Sequence, residues 1–239
     1  MSTKPHENVV YRLVRRPDPA LVARAARLTV SDLYEALPAD VRDAAMMSPR
    51  MRPLVLASRI AGPAVTAQCA ASDNLMMHKA LQLATRGDVL VVSGGEPSAA
   101  QWGYLAAVYA ERKNLAGVIV DGCIRDADAL AQRHYPVWST AIAPAHPEKR
   151  RSGTVNAPLR CDGALVHPGD LICADGDGVL VIRRHDLAAA IEKAELRMRH
   201  EAQAAVAIEG GASLFDLHDL EAAFAASGVR EIEAHWDDD

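Results

Sequence analysis

The sequence predicts a single α/β domain, and three observations support that prediction. Two continuously apolar segments, GDVLVV and GVIVDG, have the length and composition of strands buried on both faces of a sheet. The segment between them, WGYLAAVYAERKNLA, has helical periodicity, so the three predict a βαβ unit with parallel strands and a right-handed crossover. Aromatic residues make up only 4% of the 239, which indicates a core of small aliphatic side chains between helices and a sheet.

A short polar N-terminal arm precedes the first predicted helices and the first long strand. A helix starts in RPDPALVARAARL, where Pro19 stands in the first turn. Thr29 and Asp32 have the spacing of a capping box at the start of TVSDLYEAL, a second helical segment. The segment at about 59–70, RIAGPAVTAQCA, predicts a strand with a Gly-Pro break. The loop ASDN then leads into the predicted helix LMMHKALQLA.

The chain that follows the βαβ unit is first mixed, then rich in short strands, and finally helical. DADALAQRHY predicts a short helix and PVWSTAI a strand. Between residues 153 and 183 short strands alternate with Gly-Asp and Pro-Gly turns, and DGDG at 175–178 predicts a hairpin turn. The segment HDLAAAIEKAELRMRHEAQAAVAIEGG predicts a long helix ended by glycines. One shorter helix, SLFDLHDLEAAFAASG, and an acidic tail complete the prediction.

Charge and hydropathy exclude two classes of partner. The net charge is −5 and the 26 basic residues are scattered along the chain, so no nucleic-acid partner is predicted. No window approaches the roughly 20 apolar residues of a membrane span, and the first thirty residues are too charged for a secretory signal. The sequence therefore predicts a cytoplasmic protein without a membrane partner.

Four cysteines stand far apart, without the CxxC or histidine spacing of a zinc site. We expect reduced and mostly buried thiols. Cys123 lies inside the segment VIVDGCIRDAD, beside Arg125, but no histidine nearby in sequence offers it a base. A nucleophilic role for this thiol is therefore the weaker interpretation.

The ends of two predicted strands mark a candidate site. Ligands of α/β units bind at the carboxyl ends of parallel strands, so the loops after strands 89–93 and 118–121 are predicted to border one crevice. The helix that starts near Trp102 presents N–H groups there, and these suit a carboxylate. Arg125 offers a planar fork of donors to a 2-oxo acid. Asp126 offers an oxygen ligand to Mg²⁺ or Mn²⁺, with water and substrate in the remaining positions.

The same residues also have a purely structural interpretation. Asp126 is well placed as the N-cap of the helix in DADALAQRHY, and Arg125 can form surface pairs. His78 lies on an apolar helix face and is interpreted as a core histidine. Lys79 and Lys113 are interpreted as residues of solvated helix faces.

Several segments in this order resemble one protein family. They are GDVLVV, WGYLAAVYAERKNLAGVIVDGCIRDADAL, YPVW and VNAPLRCDGALVHPGDLICADGDGVLVI, and ASDNLMMHKAL fits as well. The family is that of the 4-hydroxy-4-methyl-2-oxoglutarate and 4-carboxy-4-hydroxy-2-oxoadipate aldolases, which also contains the RraA-like regulators of ribonuclease E. The resemblance covers residues from about 18 to 228 within a single domain, 1–239.

The resemblance implies a fold, an assembly and a chemistry. The fold is an α/β sandwich of the swivelling-domain, RraA-like type that forms homotrimers or homohexamers with sites between subunits. The aldolases are divalent-metal-dependent lyases that cleave a 4-hydroxy-2-oxo acid to pyruvate through an enolate, and they often decarboxylate oxaloacetate.

Site residues are implied by the same resemblance. Gly103, Tyr104, Leu105 and Ala106 would line the pyruvate site with backbone amides. Arg125 would bind the carboxylate and keto oxygen, Asp126 would ligate the metal, and Glu201 would reach a neighbouring subunit's site to hold a metal-bound water.

One residue departs from the aldolase pattern. The aldolases carry an acidic residue directly after the glycine that opens the helix, and this chain has Tyr104 there. A phenol, with a reference pKa of about 10, is a much poorer base at neutral pH than a carboxylate. Asp121, Glu96 and Glu201 are the acidic residues that can substitute. The alternative function is a non-catalytic, RraA-like regulatory protein that acts through its oligomeric surface.

Overall fold

The computed structural model describes residues 7–94 and 99–237, which contain both helices and strands. The helices in these residues are α1 (Pro19–Ala25), α2 (Val30–Ala36), α3 (Ala39–Ala45), α4 (Leu75–Leu83), α5 (Tyr104–Arg112), α6 (Ala127–Gln132), α7 (Leu187–Glu209), α8 (Leu214–Leu217) and α9 (Glu221–Ala226). The strands are β1 (Arg52–Pro53), β2 (Ile60–Gln68), β3 (Val89–Ser93), β4 (Ala100–Trp102), β5 (Gly117–Ile124), β6 (Val137–Ile142), β7 (Thr154–Val155), β8 (Leu159–Cys161), β9 (Ala164–Val166), β10 (Leu171–Ala174) and β11 (Val179–Ile182).

The main sheet is mixed, with strand order β1-β6-β5-β3-β2-β10-β11 in the described residues. Strands β2, β3, β5 and β6 are parallel neighbours, and β4 lies parallel to β5 beyond the end of β3. The antiparallel part comprises β1, β7, β10 and β11, and β8 pairs with β9 in a small separate sheet. The predicted βαβ unit is confirmed, because β3 and β5 are parallel with Val91 opposite Ile119.

The core lies on both faces of this sheet because the central strands β3 and β5 contain continuous apolar runs, at 89–92 and 118–120. Alternate side chains of a strand point to opposite faces. Leu90 and Val92 pack with α4 and α5, whereas Val89 and Val91 pack with β8 and β9. All five residues of β3 are buried, as the continuous apolar run predicts.

Local signals read from the sequence correspond to observed turns and caps. Pro19 begins α1, and the capping box of Thr29 and Asp32 begins α2, with each side chain bonded to the other's backbone N–H. Residues 175–178 join β10 to β11 as the predicted hairpin. All four cysteines are free and buried, and burial raises the pKa of Cys123, which opposes a nucleophilic role.

The chain divides into two compact units, the first ending at Glu195 and the second beginning at Leu196. In the first unit, Leu187, Ala190, Ile191 and Ala194 of α7 are buried against α1, α2 and β11. The second unit contains the rest of α7, together with α8 and α9. The single predicted helix after α7 is wrong, since a break separates α8 from α9. That the whole chain is one domain stays a prediction.

The second unit exposes many apolar side chains. These are Leu196, Met198, Val206, Ile208, Leu214, Phe215, Leu217, Leu220, Val229, Ile232 and Trp236. No helix in the described part of the chain combines the length and hydropathy needed to cross a membrane.

Candidate functional site

A cavity of about 220 Å³ opens where the polypeptide turns after two parallel strands. One side, here called the turn wall, consists of the first turn of α5 (103–106) and the turn after β5 (125–126). A second group of lining residues, here called the loop wall, consists of Asn74, Met77 and His78 at the start of α4 and of His146, Pro147 and Lys149 in the loop after β6. All of these residues belong to the first unit.

Strand pairing brings the two parts of the turn wall together. Strands β4 and β5 are parallel neighbours, with Trp102 opposite Ile124. The N–H of Arg125 donates to the carbonyl oxygen of Trp102 over 3.0 Å. The residues that follow both strands therefore meet at one edge of the sheet, as the sequence predicts. The strand that does this is β4, which the sequence interpretation missed because it is only three residues long.

Asp126 connects the two helices at this edge. Its backbone is left-handed, with φ 59° and ψ 37°, a conformation that aspartate tolerates better than most residues. It occupies the N-cap position of α6, but its side chain makes no cap bond to that helix. Instead its Oδ2 accepts a hydrogen bond of 3.0 Å from the N–H of Tyr104, the first residue of α5. The purely structural interpretation is thus right about the position and wrong about the bond.

Gly103 makes this approach possible. A Cβ atom at this position would lie 2.8 Å from Asp126 Oδ2 and 3.0 Å from Arg125 Cγ. Its backbone is extended, so glycine is required for space and not for an unusual φ angle. The carboxylate of Asp126 and the side chain of Arg125 therefore lie directly against the start of α5.

Arg125 does not form a close ion pair with its neighbour. Its Nε lies 3.7 Å from Asp126 Oδ2, beyond hydrogen-bond distance, and both side chains remain partly exposed to the cavity. Its terminal nitrogen Nη1 lies 3.2 Å from Nδ1 of His146 in the loop wall. The two opposite charges in the turn are therefore available to different atoms of a ligand.

The side chain of Tyr104 is held by residues outside the cavity. The guanidinium carbon of Arg133 lies over the ring, 5.4 Å from its centroid, and the Tyr104 hydroxyl accepts a 3.4 Å hydrogen bond from Arg133 Nη1. Arg133 is itself paired with Glu111 of α5. The phenol is thus fixed between α5 and α6, while its backbone N–H remains part of the turn wall.

The loop wall depends on one buried carboxylate. Asp73, only 1% exposed, accepts hydrogen bonds from the backbone N–H groups of Leu75, Arg150 and Arg151 at 2.6–2.9 Å. Although burial opposes it, these three donors lower the pKa of Asp73. The bonds tie the loop after β6 to the start of α4.

Two polar side chains of α4 face the same cavity. Asn74, only 6% exposed, donates from Nδ2 to the carbonyl oxygen of Gln101, which leaves Oδ1 without a hydrogen-bond partner among the described residues. His78 is exposed to the cavity, so its interpretation as a core histidine is wrong. Desolvation and the nearby charge of Lys149 lower the pKa of His78, which favours its neutral form.

The structure brings together most of the sequence-predicted site. Residues 103–106, Arg125 and Asp126 all line the cavity. Asp121 does not line it: this side chain accepts a bond from the N–H of Asp162, and burial raises its pKa. Glu96 lies outside the described residues. Glu201 belongs to the second unit, where it pairs with Arg197, and its role toward another subunit stays a prediction.

The chemistry of the donors fits one hard cation with few protein ligands. Within residues 7–94 and 99–237, no group of three or more His, Cys, Asp or Glu side chains is placed to share a metal ion. Among the described residues that line the cavity, Asp126 carries the one acidic side chain. Magnesium binds through one or two carboxylates and keeps several water ligands, so this arrangement suits Mg²⁺ or Mn²⁺ and not zinc.

Comparison with known proteins gives the same family from sequence and from structure. The family model described as RraA-like, Aldolase/RraA, matches residues 30–181. A curated protein from Halalkalibacterium halodurans is 36% identical over 146 residues, which are 61% of this chain and 70% of that protein. One from Burkholderia mallei is 39% identical over 137 residues, 57% of this chain and 82% of that protein. Both carry the provisional name 4-hydroxy-4-methyl-2-oxoglutarate aldolase.

A solved structure supplies the second comparison. RraAS2 from Streptomyces coelicolor is described as an unusual member of the RNase ES inhibitor RraA protein family. It superposes with a TM-score of 0.70 at 28% identity, over 80% of this chain and 98% of that one.

Proposed function

The chain belongs to the RraA-like, Aldolase/RraA family and has its α/β fold, and from this premise we propose that it is a carbon-carbon lyase. It depends on a divalent cation and cleaves a 4-hydroxy-2-oxo acid to pyruvate through an enolate, with oxaloacetate decarboxylation as a related activity. One observation carries the proposal: the guanidinium of Arg125 and the carboxylate of Asp126 line one cavity with the first turn of α5.

Binding of the 2-oxo acid follows from the donors of the turn wall. The N–H of Tyr104 is already used by Asp126, so the free N–H groups of the first turn are those of Leu105 and Ala106. These groups and the positive end of the helix dipole favour the substrate carboxylate. Arg125 donates to the keto oxygen and to the carboxylate, and thereby fixes the plane of the substrate.

Cleavage requires a proton to leave the C4 hydroxyl group. The C3–C4 bond then breaks, its electron pair forms the enolate of pyruvate, and C3 finally takes up a proton. Arg125 stabilises the negative charge that develops on the keto oxygen. The neutral imidazole of His78 is in the cavity to accept the proton, whereas the hydroxyl of Tyr104 is held by Arg133.

Asp126 would hold the divalent cation, and the bound cation would supply Lewis-acid stabilisation of the enolate oxygen. The first turn of α5 positions the carboxylate for this task through the bond from the N–H of Tyr104. Glycine at position 103 keeps the approach to the carboxylate open.

We further propose a homotrimer or homohexamer in which Glu201 contributes to a neighbouring site. Its support is the row of exposed apolar side chains in the second unit, which a second copy of the chain would cover. Light scattering of the purified protein measures the assembly. The Glu201→Gln variant, if assembled normally, is expected to lose activity.

Pyruvate release tests the proposed activity. Oxaloacetate and a 4-hydroxy-2-oxo acid are each supplied with Mg²⁺, with Mn²⁺ or with EDTA. We expect cation-dependent release that the Asp126→Ala variant loses. Asp40→Ala, at an exposed position of α3, is the matched control. Release that persists in EDTA at the full rate would contradict the metal requirement.

The Arg125→Ala variant tests the anchor. Loss of a charged donor in a partly desolvated site is expected to weaken transition-state binding by about 2–4 kcal/mol, measured as kcat/KM. Arg112→Ala, which removes an exposed guanidinium from α5, is the control. An unchanged KM and kcat in Arg125→Ala would contradict the assigned role.

The second candidate function is a regulatory RraA-like protein without catalysis. It is favoured by Tyr104, which replaces an acidic residue and is held by Arg133. A folded, assembled protein that releases no pyruvate from any of several 2-oxo acids with either cation would establish this alternative.

A further inference from the structure

We propose that a second cavity beside the first one selects substrates whose C4 carries an uncharged aromatic ring, so that the fragment released with pyruvate is an aryl aldehyde. This inference rests on the proposed function and names a class of substrate for it. Tyr104 determines the specificity through its ring, which contacts the departing fragment and takes no part in breaking the C3–C4 bond.

The second cavity, here called the outer cavity, has a volume of about 490 Å³ and adjoins the first. The lining residues that the two cavities share are Tyr104, Leu105, Arg125 and Asp126. Residues 127–129, at the start of α6, complete the lining of the outer cavity. A 2-oxo acid bound to Arg125, with a cation at Asp126, therefore stands where the two cavities meet.

The position of the proposed base directs the group on C4. His78 lines the first cavity and is not among the described residues that line the outer one. Besides C3 and a hydrogen atom, C4 carries the hydroxyl group and one substituent. When the hydroxyl group turns toward His78, the substituent is directed to the other side of C4, where the outer cavity lies.

The ring of Tyr104 offers a flat apolar surface that is fixed before any ligand binds. The guanidinium carbon of Arg133 lies 5.4 Å from the ring centroid, and Arg133 is paired with Glu111. Tyr104 remains 36% exposed, and Leu105 beside it is 78% exposed. Burial of this surface favours an apolar group, and a second aromatic ring gains further stabilisation from an offset-stacked or edge-to-face contact. A surface that is already fixed loses little ordering entropy on binding.

The side chains at the start of α6 leave room for a ring and oppose a second carboxylate. Ala127 and Ala129 are partly exposed and carry only a methyl group. Among the described residues that line the outer cavity, Arg125 is the one cation, and the proposed function uses it for the carboxylate and keto oxygen of the pyruvate part. Asp128 adds a negative charge at an exposed position. A carboxylate on C4 would meet this like charge, whereas an uncharged ring would not.

Three substrates that share the pyruvate part and differ in the group on C4 test the inference. They are 4-hydroxy-2-oxo-4-phenylbutanoate, 4-hydroxy-2-oxopentanoate and 4-hydroxy-2-oxoglutarate, which carry a phenyl, a methyl and a carboxylate group there. In the first, the C4 hydroxyl loses its proton, the C3–C4 bond breaks and leaves its electron pair in the enolate, C4 becomes the carbonyl carbon of benzaldehyde, and C3 takes up a proton. We expect kcat/KM of the wild type to be about tenfold higher for the phenyl substrate than for the methyl substrate, and lowest for the carboxylate substrate.

The ratio of kcat/KM for the phenyl substrate to that for the methyl substrate isolates the contribution of the ring, because both values come from one preparation and the folded fraction cancels. Tyr104→Ala should lower this ratio by about tenfold, whereas Tyr104→Phe, which keeps the ring, should preserve it. Tyr109→Ala removes a tyrosine of α5 that has similar exposure and lines neither cavity, and it should leave the ratio unchanged. Asp128→Asn should raise kcat/KM for the carboxylate substrate by about threefold relative to the methyl substrate.

Exchange of the pyruvate methyl protons with deuterium in D₂O separates failure of this inference from failure of the proposed function, because enolate formation from pyruvate needs no group on C4. If the wild type shows neither exchange nor pyruvate release, the proposed function fails and this inference fails with it. If exchange occurs but the phenyl substrate is not preferred over both others, or if Tyr104→Ala keeps the wild-type ratio, only the selection by the outer cavity is overturned. A preference that Tyr104→Ala loses and Tyr104→Phe keeps supports it.

Discussion

The two walls of the cavity are held in position by different kinds of hydrogen bond. In the turn wall, the parallel pairing of β4 with β5 sets Gly103 beside Arg125, so main-chain hydrogen bonds determine where the side chains begin. In the loop wall, the side chain of Asp73 holds backbone N–H groups that no strand partner satisfies. A substitution in the turn wall should therefore damage chemistry without unfolding the protein, whereas one in the loop wall should loosen the structure as well.

Among the variants that test this difference between the walls, Gly103→Ala is expected to have the largest effect on activity. The added Cβ would stand 2.8 Å from Asp126 Oδ2 and 3.0 Å from Arg125 Cγ, so both side chains must move. Displacement of catalytic groups by about 1 Å can cost on the order of a hundredfold in rate. We expect kcat/KM for pyruvate release to fall by that order, while the thermal midpoint changes little because the backbone at this position is extended.

The matched control for this variant is an alanine substitution at Gly163, where a Cβ meets nothing within 4 Å although the positive φ of 94° strains it. That variant should lose stability and keep its activity. The predicted difference between the walls is wrong if Gly103→Ala retains full activity, or if its thermal midpoint falls as much as that of the control.

The Asp73→Asn variant is expected to have an intermediate effect on activity. An amide keeps one acceptor oxygen but places an NH₂ group where a carboxylate oxygen now accepts from Arg150 and Arg151 or from Leu75. An unsatisfied buried donor costs about 1–3 kcal/mol of stability. The freed loop should also raise KM for the 4-hydroxy-2-oxo acid by several fold and leave kcat nearly unchanged, as steady-state kinetics and chemical denaturation can measure.

Asp40→Asn, at an exposed position of α3, provides the comparison for the change of charge. A variant that loses stability but keeps the KM of the wild type would show that the loop holds its place without Asp73. In that case the loop wall would keep its position without a side-chain anchor, as the turn wall does through main-chain hydrogen bonds.

The difference between the walls also explains what the sequence could predict. The apolar runs of β3 and β5 identify two parallel strands, and the residues after such strands are expected at one edge of the sheet. The sequence therefore predicts that Arg125 and Asp126 border the cavity. The loop after β6 has no periodicity, and its proximity to the cavity depends on Asp73, which is 77 residues before Arg150. No local pattern indicates that bond, so the sequence does not predict that His146 and Lys149 line the cavity.

His78 shows the same limit within a helix. Most residues of α4 are apolar, and Met77, Ala80 and Leu81 are buried. The sequence therefore gives the periodicity of the helix but not the width of its buried face. His78 lies just outside that buried face and lines the cavity. The sequence indicates this position only through a second polar residue, Asn74, four residues earlier.

The smallest effect is expected for Asp121→Asn, in the strand that leads to the turn wall but outside the cavity. Burial raises the pKa of Asp121, and the carboxylate of Asp162 adds to this, while the N–H of Asp162 and the charge of Arg50 oppose it. Because the folded-state pKa exceeds the unfolded value of about 3.9, the folded protein binds the proton more tightly. The stability contributed by this group is therefore fully present below the unfolded pKa and is lost as the pH rises through the folded one.

Asparagine imitates the protonated acid, and its amide oxygen can still accept from the N–H of Asp162. We expect Asp121→Asn to raise the thermal midpoint by a few degrees at pH 7, and the gain to shrink as the pH is lowered toward 4. Activity should stay within about twofold, since the side chain does not line the cavity. A large loss of pyruvate release in this variant would mean that β5, before the turn, takes part in the chemistry. The turn wall would then have to include residues of β5 that precede Arg125.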